Sequence, residues 1–364
     1  MPDRRPWDPR HGAADDVPRV GVVLVSWEQS EDDLRFFFAQ LEKLTWSSRK
    51  TWLVNNKPGR DLSTFSELSQ IVDSPSNLGW TGGANLGAKA ALDDGCTHVL
   101  FMNTDVKVLH DDLVQSLLYP FEREARCGLA SPGIVLWPNE HLIWYRGGRC
   151  RRPFWVPRHP GIGRPWKAPN HSMQPTDIVV GCCVLVSADV LRDTGGFDEQ
   201  LFMYFDDPDL SVRAREAGYQ CFLVDEPLMA HAKTGRSLSP LEAFYFGRNA
   251  IIVATKHEAG LRRAVALGTQ LAVMPGNLWR ADSTRSRKEF VRGTIEGLRM
   301  WRRVERAGVS TAAIRQSLST PGEPSSTGLL DRHRLVDLTR RPQYPAEVGD
   351  EIDGGPGAEH QQGK

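Results

Sequence analysis

A cluster of acidic residues near the middle of the chain could carry acid–base chemistry. Within F-M-Y-F-D-D-P-D-L (202–210), three carboxylates occupy four positions: Asp206, Asp207 and Asp209. Aromatic residues flank them, and such carboxylates are costly to bury unless they bind a ligand or reach water. Crowding raises the pKa of each carboxyl group, which suits a general base. In the structural alternative, Asp207 caps a helix over 208–217 and Asp209 complements its dipole.

Asp105 is a candidate metal ligand because it follows an apolar stretch, F-M-N-T-D (101–105). Ligands of open α/β sheets gather at the carboxyl ends of strands, and Mg²⁺ and Mn²⁺ prefer oxygen donors. An aspartate that only caps a turn is the alternative.

His231 follows a predicted strand over 221–224 and precedes a polar loop. A lone histidine is more often structural, but a loop at this place could close over the same cleft.

A glycine-rich segment, N-L-G-W-T-G-G-A-N-L-G (77–87), precedes or opens a predicted helix. Glycine lets the backbone approach a ligand closely, and amides at a helix N-terminus can face a diphosphate. Tight helix packing is the alternative explanation. The segment is neither a G-x-G-x-x-G fingerprint nor a Walker loop, so a Rossmann dehydrogenase or a P-loop ATPase has no direct support.

The elements that must position these residues alternate between short apolar runs and amphipathic stretches. Strands are predicted over 20–26, 51–54, 97–102 and 177–186, and helices over 34–44, 82–92, 208–217 and, with breaks, 241–307. This alternation indicates βαβ units in a mostly parallel, Rossmann-like sheet flanked by helices. Residues 137–174 show neither periodicity and are predicted to form a long irregular excursion over the sheet or at the acceptor site.

Taken together, these motifs resemble the family-2 glycosyltransferases of GT-A fold, particularly the bacterial rhamnosyltransferase-like branch. The resemblance extends over about residues 20–257 and rests on V-S-W, V-N-N, N-L-G-W-T-G-G-A-N, N-T-D, G-G-F-D-E, M-Y-F-D-D-P-D-L and the downstream His231. It implies an α/β GT-A catalytic domain over 18–257. We expect a flexible N-terminus over 1–17, a helical C-terminal extension over 258–310 and a disordered tail over 311–364.

The resemblance also implies roles for individual residues. Contacts with the nucleotide sugar are implied for Ser26, Trp27, Asn55, Asn56, Gly79, Trp80, Gly83, Asn85, Asn103 and Thr104. Asp105 matches the last position of the D-x-D metal motif and His231 matches a later metal ligand, which implies bound Mg²⁺ or Mn²⁺. Asp207 matches the general base, with Asp206 as the alternative. The chain departs from the family pattern at Asn55 and Asn103, where aspartate is common.

The implied reaction is an inverting, metal-assisted single displacement. The donor would be dTDP-rhamnose or a UDP-hexose, and the acceptor a hydroxyl of a glycan, glycolipid or lipid-linked molecule, as in cell wall polysaccharide biosynthesis. A nucleotidyltransferase would require a basic phosphate-binding motif near the first strand, and residues 20–29 contain none. A non-catalytic sugar-nucleotide-binding relative would have lost the acidic pair or Asp105, and both are present.

Two segments after the motifs have less specific patterns. F-Y-F-G-R-N (244–249) resembles a segment of the same branch that either shapes the acceptor side or packs. Residues 280–306 interleave Arg and Lys with apolar residues and predict a basic amphipathic helix. Such a helix either lies on anionic lipid, as in peripheral membrane association, or packs onto the domain. The apolar residues are Phe290, Val291, Ile295, Leu298, Met300 and Trp301.

The composition excludes several other classes of protein. The formal net charge is +0, so no nucleic-acid partner is expected. The six cysteines form no C-x-x-C pair, so neither a zinc knuckle nor a thioredoxin-like motif is indicated. The start of the chain has no secretory pattern, and no apolar run reaches the roughly 18 residues of a membrane span. We therefore expect a cytoplasmic protein, with the inner face of the cell membrane as the alternative site of action.

Overall fold

The computed structural model describes residues 17–167, 172–232, 238–281 and 283–306. The predicted flexible start, apart from residue 17, and the predicted disordered tail over 311–364 lie outside these residues. So do residues 233–237 of the polar loop after His231.

A mixed ten-stranded sheet forms the centre of the described structure. The strands are β1 Val20–Ser26, β2 Arg49–Asn55, β3 Gln70–Asp73, β4 His98–Met102, β5 Val106–Val108, β6 Cys127–Leu136, β7 Ile143–Tyr145, β8 Met173–Thr176, β9 Cys183–Ser187 and β10 Gln220–His231. Their order in the sheet is β3-β2-β1-β4-β9-β6-β10-β5, with β7 beside β6 and β8 beside β10. The first four are mutually parallel, whereas β9 runs antiparallel to β4 and β6. The α/β prediction is confirmed, and parallel pairing is found in the β3-β2-β1-β4 half and between β6 and β10.

Helices cover both faces of the sheet because β1 is apolar on both sides. Val22 and Leu24 pack among residues of the first and third helices, and Val23 packs on the second helix. The helices are α1 Glu31–Leu41, α2 Gly79–Asp93, α3 Leu113–Arg123, α4 Ala188–Thr194, α5 Asp206–Glu216, α6 Pro240–Lys256, α7 Gly260–Leu278 and α8 Thr284–Arg306. Capping boxes at Ser30 and Ser239 fix where α1 and α6 begin.

The excursion predicted over 137–174 is mostly irregular where it is described, but it contains β7 and the start of β8. It packs as a cover on the domain. The Tyr145 hydroxyl donates a hydrogen bond to the Ile178 carbonyl at 2.7 Å, and the Trp155 indole donates to Glu258 at 3.1 Å. Both aromatic side chains are buried. Two buried aromatic side chains therefore anchor the described part of the excursion to the domain.

The apolar face of α8 packs against α6. A Cβ at Gly293 would collide with the Phe244 carbonyl, and one at Gly297 would lie 2.6 Å from the Arg248 carbonyl, so the two helix backbones are in close contact. Phe290 is buried in the same seam. Of the two interpretations of residues 280–306, the structure supports packing onto the domain. Among the helices of the described ranges, none combines the length and apolar character needed to cross a bilayer.

Candidate active site

The carboxyl ends of the parallel strands bring the predicted site residues to one edge of the sheet. Ser26 ends β1, Asn55 ends β2 and Asp73 ends β3, in a register that pairs Ser26 with Asn55 and Asn55 with Asp73. Asn103 follows β4, whose chain continues through Thr104 to Asp105. This is the edge at which open α/β sheets bind ligands.

Asn55 is held by an acidic neighbour that the sequence analysis did not identify. Its amide nitrogen donates to the Asp73 carboxylate and to the Arg60 carbonyl, each at 2.8 Å. An aspartate at position 55 would instead place two carboxylates together, which explains the asparagine at this position. The Asn55 Oδ1 atom is buried and has no hydrogen-bond partner among the described residues. A buried, unpaired acceptor of this kind suits an N–H donor on a ligand.

Arg60 is a second residue that the sequence analysis missed. Its guanidinium donates to the Ser26 hydroxyl at 2.9 Å, to the Trp27 carbonyl at 3.1 Å and to the Gln29 carbonyl. These bonds fix the loop after β1, where Ser26 is fully buried and Trp27 is half-buried. Arg60 could not be found from a motif because its three partners lie more than 30 residues earlier in the chain.

Asn56, Gly83 and Asn85 lie in the predicted region and already have structural partners. Asn56 donates to the Gly79 carbonyl and accepts from the Leu78 amide, each at 3.0 Å. Asn85 exchanges two hydrogen bonds of 2.8 Å with the Phe197 backbone. A Cβ at Gly83 would lie 2.7 Å from the Val25 side chain, so this glycine allows α2 to pack closely on β1. Their contacts with a nucleotide sugar stay predictions.

A chain of contacts joins the glycine-rich segment to the acidic pair. The Trp80 indole donates to the Asn103 side chain at 3.1 Å. A Cβ at Gly181 would lie 2.8 Å from the Trp80 ring, and the Gly181 amide donates to Asp207 Oδ1 at 2.8 Å. The structure thus brings together residues 80, 103 and 207, which the sequence analysis had assigned to different motifs.

Asp105 and His231 also come together. Asp105 Oδ1 lies 3.7 Å from His231 Nε2, and the Asp105 side chain is 50% exposed. His231 is buried, and its ring stacks on Trp144 with centroids 4.6 Å apart. Within the described ranges no group of three potential His, Cys, Asp or Glu ligands is found. A carboxylate and an imidazole nevertheless fit an Mg²⁺ or Mn²⁺ site that takes its other ligands from substrate phosphate and water.

The carboxyl groups of Asp206 and Asp207 form a coupled pair at the start of α5. Burial raises the pKa of Asp206 to about 6. Burial, reinforced by the Asp206 carboxylate, also raises the pKa of Asp207 well above its ordinary value. Asp207 is the less buried of the two. The pair therefore retains a proton at a pH where an ordinary aspartate is ionised, and its accessible member can exchange that proton with a ligand.

The predicted N-cap role of Asp207 is wrong. Helix α5 begins at Asp206, and Phe205 occupies the N-cap position with a left-handed backbone (φ 63). Asp207 therefore lies inside the first turn, where its side chain accepts from Gly181 instead of capping α5. The C-terminal end agrees with the prediction, since α5 stops at Glu216 and Gly218 has a positive φ.

The loop before α5 holds three bulky residues in a backbone conformation that favours glycine. Phe202, Tyr204 and Phe205 have φ values of 65, 66 and 63. Such strain persists only where surrounding contacts impose it, and it is concentrated at functional sites. Asn249 on α6 supplies these contacts, because its amide nitrogen lies 2.7–3.0 Å from three carbonyls of the loop. The 244–249 segment thus supports the loop that carries the acidic pair.

Asp209 belongs to a separate, buried charge cluster. Its carboxylate lies 2.8 Å from Arg213, 2.8 Å from Lys256 and 2.7 Å from His257. Burial alone would raise the pKa of Asp209, but Lys256, Arg213 and His257 outweigh it and hold the pKa well below its ordinary value. Lys256 also pairs with Asp198 at 2.7 Å. Asp209 is therefore structural, and the sequence analysis missed its partners Lys256 and His257.

The chain segments that carry the metal-ligand candidate Asp105 and the acidic pair are joined by backbone contacts. The Asn103 amide donates to the Cys182 carbonyl at 3.1 Å, and the amide of the adjacent Gly181 donates to Asp207 at 2.8 Å. Asp105 follows Asn103 by two residues. A proton acceptor and a candidate cation ligand on adjoining segments suit the activation of a hydroxyl next to a phosphorylated group.

Comparison with known proteins supports this interpretation. The chain is 25% identical over 215 residues to the low-salt glycan biosynthesis hexosyltransferase Agl10 of Haloferax volcanii, covering 57% of this chain and 66% of that protein. It is 30% identical over 156 residues to the N-acetylglucosaminyl-diphospho-decaprenol L-rhamnosyltransferase of Mycobacterium tuberculosis, covering 40% of this chain and 48% of that protein. The chain is therefore similar in sequence to two sugar transferases, at low identity and over part of their length.

The fold comparison agrees. The crystal structure of GalNAc-T7 with UDP, GalNAc and Mn²⁺ superposes with a TM-score of 0.56 and 12% identity, over 81% of this chain and 57% of that chain. This similarity establishes the GT-A fold, and the predicted fold class is confirmed. No protein-family model matches the chain. The sequence matches span about half to two thirds of the length of the two curated relatives.

Proposed function

We propose that this protein is an inverting glycosyltransferase that moves a sugar from a nucleoside-diphosphate sugar to an acceptor hydroxyl. The observation that carries the proposal is the Asp206–Asp207 pair, which follows a strained loop and is linked through Gly181 and Trp80 to Asn103. The two related transferases and the GT-A fold support the same class of reaction.

The donor is proposed to bind along the ends of β1 to β4. Asn55 Oδ1 would accept from the N–H of a pyrimidine base, while the exposed Asp73 carboxylate supplies the charge that the family pattern has at position 55. A dTDP or UDP donor satisfies this pattern, because thymine and uracil both carry an N–H donor between two carbonyls. The choice between dTDP-rhamnose and a UDP-hexose is a matter for experiment.

Asp105 and His231 are the residues that would hold a divalent ion, Mg²⁺ or Mn²⁺. When bound, such an ion supplies Lewis-acid stabilisation of the negative charge on the departing diphosphate. Asp207 would take the proton of the acceptor hydroxyl as its oxygen attacks the anomeric carbon. The Gly181 amide orients that carboxylate, and the elevated pKa makes it a stronger base than an ordinary aspartate.

The acceptor is proposed to be a glycan or lipid-linked hydroxyl. The name of the mycobacterial relative identifies a diphospho-decaprenol acceptor. For this chain we propose only that the acceptor group is a hydroxyl. Two aromatic residues of the loop 202–205, which precedes the acidic pair, contact Tyr245 and Phe246 of α6, and we propose that these aromatic residues shape the acceptor side.

Isothermal titration with nucleoside diphosphates and nucleotide sugars, with and without Mg²⁺ or Mn²⁺, tests the proposal. We expect metal-dependent binding of a UDP or dTDP species, weakened about tenfold or more by Asp105→Ala and by Asp73→Ala. Asp207→Asn should retain donor binding and lose turnover by about a thousandfold or more. Lys50→Ala, on an exposed ion pair at the opposite end of β2, is the control.

Two outcomes would contradict the proposal. A folded protein that binds no member of the panel is not a donor-dependent transferase. Full turnover by the Asp207→Asn variant would remove Asp207 as the base while leaving the class of enzyme intact.

A further inference from the structure

Helix α7 exposes an uncharged stripe along its whole length. Residues three or four apart lie on one face of a helix, and all six on this face are exposed. Leu261 is 82% exposed and Trp279, which directly follows the helix, is 87% exposed, whereas Ala266 and Gln270 on the opposite face are buried. The α7 stripe comprises Leu261, Val265, Gly268, Ala272, Pro275 and Trp279.

A basic groove of about 740 Å³ runs beside the stripe. Thr269 and Val273 of α7 form one wall, and the excursion forms the other with Phe154 and three arginines: Arg149, Arg151 and Arg158. The three arginines are exposed, and no carboxylate of the described ranges pairs with them. The amide of Gln270 fixes the excursion to α7 by donating to the carbonyls of Phe154 and Trp155.

We infer that the α7 stripe and this groove form a binding surface for anionic phospholipid. An apolar helix face buries itself at the boundary of headgroups and acyl chains, and tryptophan favours that boundary. Arginines beside the face match lipid phosphates. Residues 260–280 contain no Asp or Glu that would repel the lipid phosphates. A second copy of the chain fits less well, because a symmetric contact would bring the same arginines together.

This surface differs from the one expected from the sequence. The basic amphipathic pattern over 280–306 indicated α8, but the Phe290 face of α8 packs on α6. Helix α7 has the weaker charge pattern and the more exposed apolar face. The inference concerns where the protein resides and does not depend on whether it transfers a sugar.

Vesicle flotation of the full chain tests the inference. We expect partition onto phosphatidylcholine vesicles with about 30 mol% phosphatidylglycerol at about 0.1 M NaCl, and weaker partition at about 0.5 M NaCl or onto pure phosphatidylcholine. The double variant Leu261→Gln/Trp279→Gln should weaken partition about tenfold or more, because it removes both ends of the stripe. Arg151→Gln should weaken it about fivefold on anionic vesicles only.

Leu68→Gln is the matched control, since Leu68 is an exposed leucine before β3 and away from α7. Its partition should equal that of the unmodified chain. The inference is overturned if the unmodified chain does not partition, or if the folded double variant partitions equally well. It is also overturned if the double variant instead converts a dimer to a monomer in sedimentation velocity without lipid, which would identify a second copy as the occupant.

Discussion

Two aspartates of α5 that lie two positions apart have opposite electrostatic environments. Burial and the Asp206 carboxylate raise the pKa of Asp207. The pKa of Asp209 is lowered, because the charges of Lys256 and Arg213 and the hydrogen bond from His257 outweigh burial. Both residues belong to the same D-D-P-D motif. The sequence therefore identifies the acidic cluster but not which carboxylate is reactive, because Lys256 and His257 reach Asp209 from 47 and 48 positions away.

The pH dependence of turnover should show the coupling within the pair. Asp207 accepts a proton only when ionised, so kcat/KM should fall as pH drops through the raised pKa. Asp206→Asn removes the negative charge that helps raise the pKa of Asp207, so the acidic limb should move to lower pH. The pH profiles of both proteins provide the measurement. Complete inactivity of Asp206→Asn at every pH, with the donor still bound, would assign the base to Asp206.

Stability should respond oppositely to two neutralising substitutions. A carboxyl group whose folded pKa is raised binds more protons in the folded state, so its ionisation lowers stability as pH rises above about 4. Asp207→Asn should therefore increase the free energy of unfolding at pH 7 by about 1 kcal/mol or more. Asp209→Asn should decrease it by about 3–5 kcal/mol, because it leaves buried cations without their partner.

Urea denaturation at pH 7 measures both changes, and repeating it near pH 4 should shrink the gain of Asp207→Asn. A loss of stability in Asp207→Asn at pH 7 would show that its bond with the Gly181 amide outweighs the cost of its charge.

At the scale of elements, the loop before α5 depends on Asn249 of α6, which follows it by about 45 residues. Asn249 on α6 contacts the carbonyls of Leu201, Met203 and Tyr204, and the Tyr204 hydroxyl donates to Glu242 at 2.7 Å. Strands β1, β2 and β4 and helices α1 and α2 follow from local hydrophobic patterns, and β1 was predicted with its observed bounds. The left-handed aromatic residues could not be predicted, because distant contacts impose their backbone conformation.

Asn249→Leu should separate donor binding from catalysis. Leucine removes the bonds to the three carbonyls, so Asp207 loses its position while the ends of β1 to β4 are untouched. We expect kcat to fall about tenfold or more, with a donor dissociation constant within about twofold of the original. Thr255→Ala, which removes only a hydroxyl bonded within α6, is the control. An unchanged kcat in Asn249→Leu would show that the loop before α5 keeps its conformation without the Asn249 hydrogen bonds.

At the scale of the whole molecule, α6 joins the loop before α5 to the C-terminal helices. Its Asn249 holds the loop, its Lys256 pairs with Asp198 and Asp209, and its carbonyl face contacts the glycines of α8. The sequence predicted the amphipathic pattern of α8. It did not predict that α8 packs on α6, because contacts between glycines and a neighbouring backbone leave no periodic pattern in the sequence.

Two glycine substitutions should distinguish a packed helix from an exposed one. Gly293→Ala places a methyl group against the Phe244 carbonyl and should lower the free energy of unfolding by about 1–3 kcal/mol. Gly268→Ala, on the α7 stripe with nothing within 4 Å, should leave stability unchanged or raise it by up to about 1 kcal/mol. Thermal melts compare them. Equal effects would mean that α8 does not pack tightly on α6.

The stacking of His231 on Trp144, with centroids 4.6 Å apart, gives the protein an optical reporter at the candidate metal ligand. Indole emission is sensitive to a change of charge or a paramagnetic ion at such close range. The sequence has eleven tryptophans including Trp144, and subtracting the spectrum of a Trp144→Phe variant would isolate the Trp144 signal from the rest. Occupancy of the site by Mn²⁺ could then be followed in real time, without a label and without turnover.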